Sequence, residues 1–213
     1  MLLIGMFDSP FVRRVAISMR LLDIGYGHAD WSVGKDFDRI RQYNPLGRVP
    51  TLVLDDGAVL SESAAILDYL DDRVGPTRAL LPATGPQRRE ALRQIAMALG
   101  AAEKGREQVY ERAFRPADKH YEPWLERCRT QMHGGLGELE RYCAARGARQ
   151  WLIGDTLGQA DITVGCAYTF LREALRPVDL ATRYPRLAAL VDRCEALPVF
   201  NSTHMAFFTP GGQ

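Results

Sequence analysis

The sequence predicts an α/β layer domain followed by an all-helical domain, and three observations lead there. Up to about residue 75 the apolar pattern reads strand, helix, strand, helix, strand, strand, helix. A stretch rich in helix breakers, from Gly75 to Pro86, then interrupts it. Beyond that break strand signals nearly vanish and apolar residues recur every three or four positions. The domain limits that follow are residues 1–75, a linker over 76–85, and a helical domain over 86–213.

Leu2 to Phe7 reads as a buried strand. Asp8-Ser9-Pro10 then marks a helix start, with Ser9 as N-cap and Pro10 at the first helical position, where its missing N–H is no loss. Val12, Val15, Ala16, Met19 and Leu22 form the apolar face of this helix, which ends near Gly25. Tyr26 to Ser32 alternates as a second strand, and Lys35 to Tyr43 reads as a short, polar, irregular helix before Pro45. Pro50 has no N–H for a ladder, so Val49-Pro50 fits only at the start or edge of the strand Thr51 to Leu54 and leaves nearby backbone groups free. After the turn Asp55-Asp56-Gly57 and a short strand from Ala58 to Leu60, Ser61-Glu62-Ser63 opens a helix carrying Ala65, Ile66, Tyr69 and Leu70 at helical spacing. A crossover between parallel strands, a hairpin and a covering helix make an α/β layer.

In the second half, Gln87 to about Phe114 carries Leu92, Ile95, Ala96, Leu99, Ala102 and Val109 at helical spacing, and Pro116 stops it. Tyr121 to about Ala145 places Leu125, Cys128, Met132, Leu136, Leu139 and Cys143 in a narrow seam suited to packing on another helix. Gly134-Gly135 in its middle weakens the helix without ending the pattern. Further helices are expected from Gln159 to Leu175 and from Tyr184 to Leu197. No internal repeat or low-complexity segment is evident.

Composition narrows the function classes. With 213 residues, 46% hydrophobic, 25% charged and a formal net charge of +1, the chain reads as a soluble globular protein with no electrostatic call on nucleic acid or an anionic membrane surface. The pairs Arg13-Arg14 and Arg88-Arg89 read as solvated helix faces. Cys128, Cys143, Cys166 and Cys194 lack CxxC spacing and sit in apolar helical patterns, which favours buried reduced thiols and a cytoplasmic location. Met1 to Met6 lacks a basic leader or cleavage signal, and no apolar run reaches the roughly 18 residues of a membrane span. His28, His120, His133 and His204 are scattered without metal-ligand spacing, so no metal is expected.

Two devices in the stretch from Tyr43 to Leu70 carry chemistry. The free backbone at Val49-Pro50 suits an extended peptide, and the helix start at Ser61-Glu62-Ser63 attracts a carboxylate while Glu62 takes an ammonium group. Glutathione, with its α-carboxylate, α-ammonium and peptide backbone, satisfies both. The pattern Asn44-Pro-x-Gly-x-Val-Pro-x-Leu, followed by Ser61-Glu-Ser63-x-Ala-Ile, resembles the glutathione-binding half of the soluble glutathione transferase superfamily. The resemblance implies a thioredoxin-like first domain, an all-helical second domain, a cis Val49-Pro50 bond and a homodimer. It also implies that the N–H and C=O of Val49 bond the cysteinyl backbone of glutathione like an added strand. Glu62 and Ser63 would hold its amino-acid end, with Lys35 and Arg48 as candidates for the glycine carboxylate, each otherwise a surface cation. Helix capping is the plain alternative for Ser61 to Ser63.

The segment Trp151 to Ile162 resembles the start of the central helix in the second transferase domain. Gly158 stands where the family usually has Ser or Thr, so only the Asp161 half of a capping box is available, a deficit of a few tenths of a kcal/mol.

Conjugation by glutathione needs the thiolate. Ser9, at a helix N-terminus, falls where several transferase classes carry a catalytic Ser or Cys, and is the candidate that stabilises the anion; helix capping alone is its plain reading. Ser9 and Val12 replace both sulfurs of a Cys-x-x-Cys, so dithiol exchange is not expected. The expected function is a glutathione transferase acting on a small apolar electrophile, with no nucleic acid or membrane partner. A transferase-like binding or scaffold module without turnover is the alternative, and a Cys-dependent thiol transferase requires one of the four cysteines at the domain cleft. The electrophile is expected between the domains, against the helix after Pro86 and Phe11 or Tyr110. Phe207-Phe208 is either docked or frayed, and Asp68, Asp71 and Asp72 with Arg88, Arg89 and Arg93 are candidates to pair across a dimer interface.

Overall fold

The computed structural model describes residues 1–147, 149–176 and 178–209. Its first part contains β1 (Leu2–Ile4), α1 (Pro10–Leu21), β2 (Gly27–Ala29), α2 (Phe37–Arg41), β3 (Thr51–Val53), β4 (Val59–Ser61) and α3 (Ser63–Val74). The strands form one sheet in the order β2-β1-β3-β4, with β2 parallel to β1 and the other pairs antiparallel. This is the thioredoxin-like α/β layer. All four strands are three residues long, shorter than alternation suggested, because each ladder has only three registered pairs and a strand persists only where it has a partner. Leu3 and Leu52 of the sheet pack with Val12, Val15, Ala16 and Met19 of α1 and Ile66, Leu67 and Leu70 of α3.

The second part is helical: α4 (Gly85–Phe114), α5 (Glu122–Ala145), α6 (Gln159–Ala174), α7 (Leu180–Arg183), α8 (Pro185–Glu195) and α9 (Pro198–Asn201). The apolar seam of α5 meets Ala91, Ile95, Ala98, Ala101 and Ala102 of α4. The helix runs unbroken through Gly134-Gly135, as the seam from Leu125 to Cys143 predicts. Gly135 has a packing reason to be there: a Cβ at that position would lie 2.9 Å from the Met97 carbonyl oxygen, so its absence lets the two helices approach. The central helix α6 is buried from Gln159 to Leu171, which explains its near-continuous apolar sequence. The short helices α7 and α9 carry too few residues for periodicity to reveal them.

Helix α1 lies between the two parts, and this overturns the reading of Arg13-Arg14 as a solvated pair. Both arginines are buried, along with Ile17 and Ser18, because the face of α1 opposite the sheet rests on α6, α8 and α9. Ser18 Oγ donates to Gln159 Oε1 at 3.0 Å, and Arg14 Nη1 donates to Thr163 Oγ1 at 3.2 Å. The linker is also tied within the chain. Asp71 accepts from the Leu80 and Leu81 N–H groups at 2.9 and 3.2 Å, and Arg93 pairs with Glu138 at 2.6 Å, so these two members of the expected intersubunit set are already engaged internally.

At the start of α6, Asp161 Oδ2 accepts from the Gly158 N–H at 3.1 Å, and Asp161 Oδ1 from the Leu152 N–H at 2.8 Å. Glycine offers no side-chain acceptor in return, so half of the capping box is present. A Cβ at 158 would press to 3.2 Å on the Leu80 carbonyl oxygen, which sets a local reason for glycine there.

Candidate active site

A cavity of about 620 Å³ opens between the start of α1, the loop after α2, one stripe of α4, and the chain end. That size suits a small-molecule site. Ser9 is on its wall. The residue has extended backbone (φ −73°, ψ 122°) and stands at the N-cap position, yet its hydroxyl accepts no bond from the first turn of α1. The position was legible in the sequence; the capping bond expected with it does not form. The hydroxyl and the uncapped start of the helix are therefore both available to a ligand.

The loop from Asn44 to Pro50 is built by its own side chains. Asn44 is buried; its Nδ2 donates to the Arg48 carbonyl at 3.0 Å and to Thr51 Oγ1 at 3.1 Å, and its Oδ1 accepts from the Leu46 N–H at 3.1 Å. Gly47 has φ +62° and lies under Phe37, whose ring would be 2.2 Å from any Cβ, so glycine is required twice over. This bracing presents Arg48 and Val49 to the cavity. The Val49-Pro50 bond is cis, and neither the N–H nor the C=O of Val49 has a hydrogen-bond partner among the described residues.

Glu62, Ser63, Pro50 and Lys35 lie off the cavity wall. Glu62 is joined to it by an ion pair with Arg48 at 3.1 Å between half-exposed side chains. Glu62 stands before α3, not within its first turn, at φ +68°. For a residue with a Cβ this costs of the order of 1–3 kcal/mol and points to a functional constraint. Ser63 is buried at the first position of α3, and Lys35 places Nζ 4.9 Å from the Phe208 ring centroid.

Three contributors carried no sequence signal of their own. Trp31 lines the cavity under the Arg39 guanidinium, 3.9 Å from its ring. Arg106 enters from α4 beside Val109, Tyr110 and Phe114, residues that share a helix face. Asp8 is the third. The Phe207-Phe208 segment is docked, with the Phe207 N–H on Glu173 at 3.0 Å, the Phe208 N–H on Asp8 at 3.1 Å, and the Phe207 ring edge-on to Phe170.

Burial pushes the Asp8 carboxyl from its ordinary 3.8 to about 6; the bond from Phe208 opposes the shift and the charge of Asp30 adds to it. Between those two values the unfolded chain has lost this proton and the folded chain has kept it, so stability from this group falls as pH rises from about 4 to about 6 and is flat above. Asp8→Asn keeps an acceptor for Phe208 and removes the titration. Its stability relative to wild type should rise over that interval by no more than about 3 kcal/mol. Urea midpoints at both ends check this, and a pH-independent difference refutes it.

A family model described as the glutathione S-transferase N-terminal domain matches residues 3–78, and one described as the glutathione S-transferase C-terminal domain matches residues 122–193. The chain belongs to the glutathione S-transferase family. It is 31% identical over 194 residues to an uncharacterized GST-like protein, YibF, of Escherichia coli, covering 90% of this chain and 92% of the relative. Maleylacetoacetate isomerase of Pseudomonas aeruginosa is 29% identical over 202 residues, covering 91% of this chain and 90% of its own. Among solved structures, a glutathione S-transferase of Methylobacterium radiotolerans in complex with glutathione sulfonate superposes with a TM-score of 0.87 at 29% identity, covering 100% of this chain and 95% of that one.

The four cysteines of this transferase-family chain are free and buried, none on the cavity wall. Burial pushes the Cys143 and Cys166 thiols up to about 11 and about 12, and those of Cys128 and Cys194 upward as well. Such thiols are inert near neutrality, which removes the Cys-dependent reading. Among the described residues no three His, Cys, Asp or Glu side chains are grouped to hold a metal ion, and no helix is long and apolar enough to cross a membrane.

Proposed function

We propose that the chain is a glutathione transferase that binds glutathione along Val49-Pro50 and stabilises its thiolate at Ser9 for attack on a small apolar electrophile. The observation that carries this reading is the Ser9 hydroxyl: it lies on the cavity wall at a helix start and is not spent on capping. The unpaired N–H and C=O of Val49 support strand-like pairing with the cysteinyl unit. Glu62 is assigned to the α-ammonium group, shared with Arg48, and Ser63 with the first turn of α3 to the α-carboxylate. Lys35 and Arg48 are assigned to the glycine carboxylate.

In the reaction the thiol proton leaves to solvent and Ser9 donates a hydrogen bond to the sulfur. The sulfur then forms a bond to the electrophilic carbon, and a leaving group departs with the electron pair of the broken bond. The isomerase among the relatives supports a second outcome at the same site, in which sulfur adds to a conjugated double bond, rotation follows and the same sulfur is expelled. We place the division of the chain at residues 75–86, between α3 and α4, and expect a cytoplasmic homodimer, as the family resemblance implies.

Calorimetric titration with glutathione tests the binding half. Wild type should bind at or below millimolar concentration, and Glu62→Ala should weaken binding at least about tenfold, the loss of one charge-assisted contact. No heat at millimolar glutathione, or equal affinity in the variant, would sink the assignment.

A further inference from the structure

We propose that the electrophile, apolar in its body, carries one carboxylate, held by Arg106 on the α4 wall of the cavity; this rests on the glutathione-transferase reading above. The wall around Arg106 is apolar, made by Phe11, Val109, Phe114 and Phe170. A cation in such a lining is costly to desolvate and calls for an anion. Its present partners are few. Nη2 makes an ion pair with Glu107 at 3.1 Å, between adjacent residues of one helix, and Nε is buried with no hydrogen-bond partner.

The guanidinium is also held in place. Its carbon lies 5.9 Å from the Phe11 ring centroid and 5.8 Å from that of Tyr110, so two aromatic faces orient a planar fork whose side chain is only 23% exposed. A carboxylate in the cavity accepts from the terminal nitrogens, which carry the exposed part of this side chain. Tyr110 on the same wall carries a phenol hydroxyl that is protonated near neutrality and adds a second donor. The other wall cation, Arg48, pairs with Glu62 and is assigned above, with Lys35, to the glycine end of glutathione, which leaves Arg106 for the electrophile. Asp8, the acid on the wall, accepts from the Phe208 N–H. The acceptor this wall fits is an aromatic or unsaturated body against Phe11 and Phe170 with one carboxylate directed at α4.

The test compares two products of aromatic substitution: the glutathione conjugate made from 4-chloro-3-nitrobenzoate, and that made from its methyl ester. In forming either, sulfur bonds to ring carbon, chloride leaves with the C–Cl electron pair, and the thiol proton goes to solvent. Calorimetry on wild type should show the carboxylate conjugate bound roughly tenfold tighter than the ester, the worth of one bidentate charge-assisted contact. Arg106→Met should erase the preference while leaving the affinity for glutathione itself unchanged, and Arg106→Lys should retain part of it. Equal affinities in wild type, or a preference that survives Arg106→Met, would overturn the inference and leave the transferase reading standing. Failure of both conjugates and of glutathione to bind would overturn both.

Discussion

Replacing Arg13 by Met should lower the unfolding free energy by about 3–5 kcal/mol, a large part of the roughly 5–15 kcal/mol that holds a native domain together. Arg13 projects from α1 and is 3% exposed. Its two terminal nitrogens donate to both carboxylate oxygens of Glu195 in α8, at 2.7 and 2.6 Å, and Nη2 also donates to the Phe200 carbonyl in α9 at 2.8 Å. Thr169 of α6 donates to the same carboxylate at 2.6 Å. Burial alone would raise the Glu195 carboxyl, but the bonds from Arg13 and Thr169 outweigh it and hold the group below its usual range. Stability from this pair is thus present above the ordinary carboxylate range and lost as pH falls through the lowered value. Removing Arg13 strands a part-buried charge, whereas an Arg13→Met, Glu195→Leu double variant removes both charges. The double variant should be no less stable than the single one, a non-additivity that urea unfolding reads directly. A single-variant loss below about 1 kcal/mol, or additive losses, would show that the clamp contributes little.

The same pair shows why the sequence was only partly legible. Periodicity reports that a helix has a buried face, and on α1 it correctly picked Val12, Val15, Ala16 and Met19 against the sheet. It has no means of reporting a second buried face made of Arg13, Arg14 and Ser18, because those residue types ordinarily mark solvent. Only the approach of α6 and α8, set by the packing of the second domain, covers them. The loop motif divides in the same way. The positions of Val49-Pro50 before a strand and of Glu62 before a helix were readable because turn chemistry and helix starts are local. Asn44 was readable as a position, but its work in bracing Arg48 and Thr51 needs the folded loop. Asp8 and Arg106 left no trace: one is a residue before a helix cap, the other an arginine in a long amphipathic helix, and each reaches the cavity only once the two domains meet.

Ser9→Ala should raise the pKa of bound glutathione thiol by about 1–2 units and lower kcat/KM for an electrophile by about 10- to 100-fold. A hydroxyl donating to an ionised acceptor contributes about 1.5–3 kcal/mol. The start of α1 supplies a smaller share, about 0.3–1 kcal/mol, and remains in the variant. The pKa should therefore move toward, without reaching, that of free glutathione. Ser9 makes no capping bond in the folded chain, so its removal should leave stability within about 0.5 kcal/mol of wild type. That separates the two roles a serine has at such a position: a cap is lost from the unfolding curve, a thiolate donor from the titration of the sulfur. Ultraviolet absorbance of the bound thiolate against pH, beside urea unfolding of the same variant, measures both. An unchanged thiol pKa with glutathione still bound would transfer the whole stabilisation of the anion to the helix start and the Val49 backbone, and Ser9 would have no part in the chemistry.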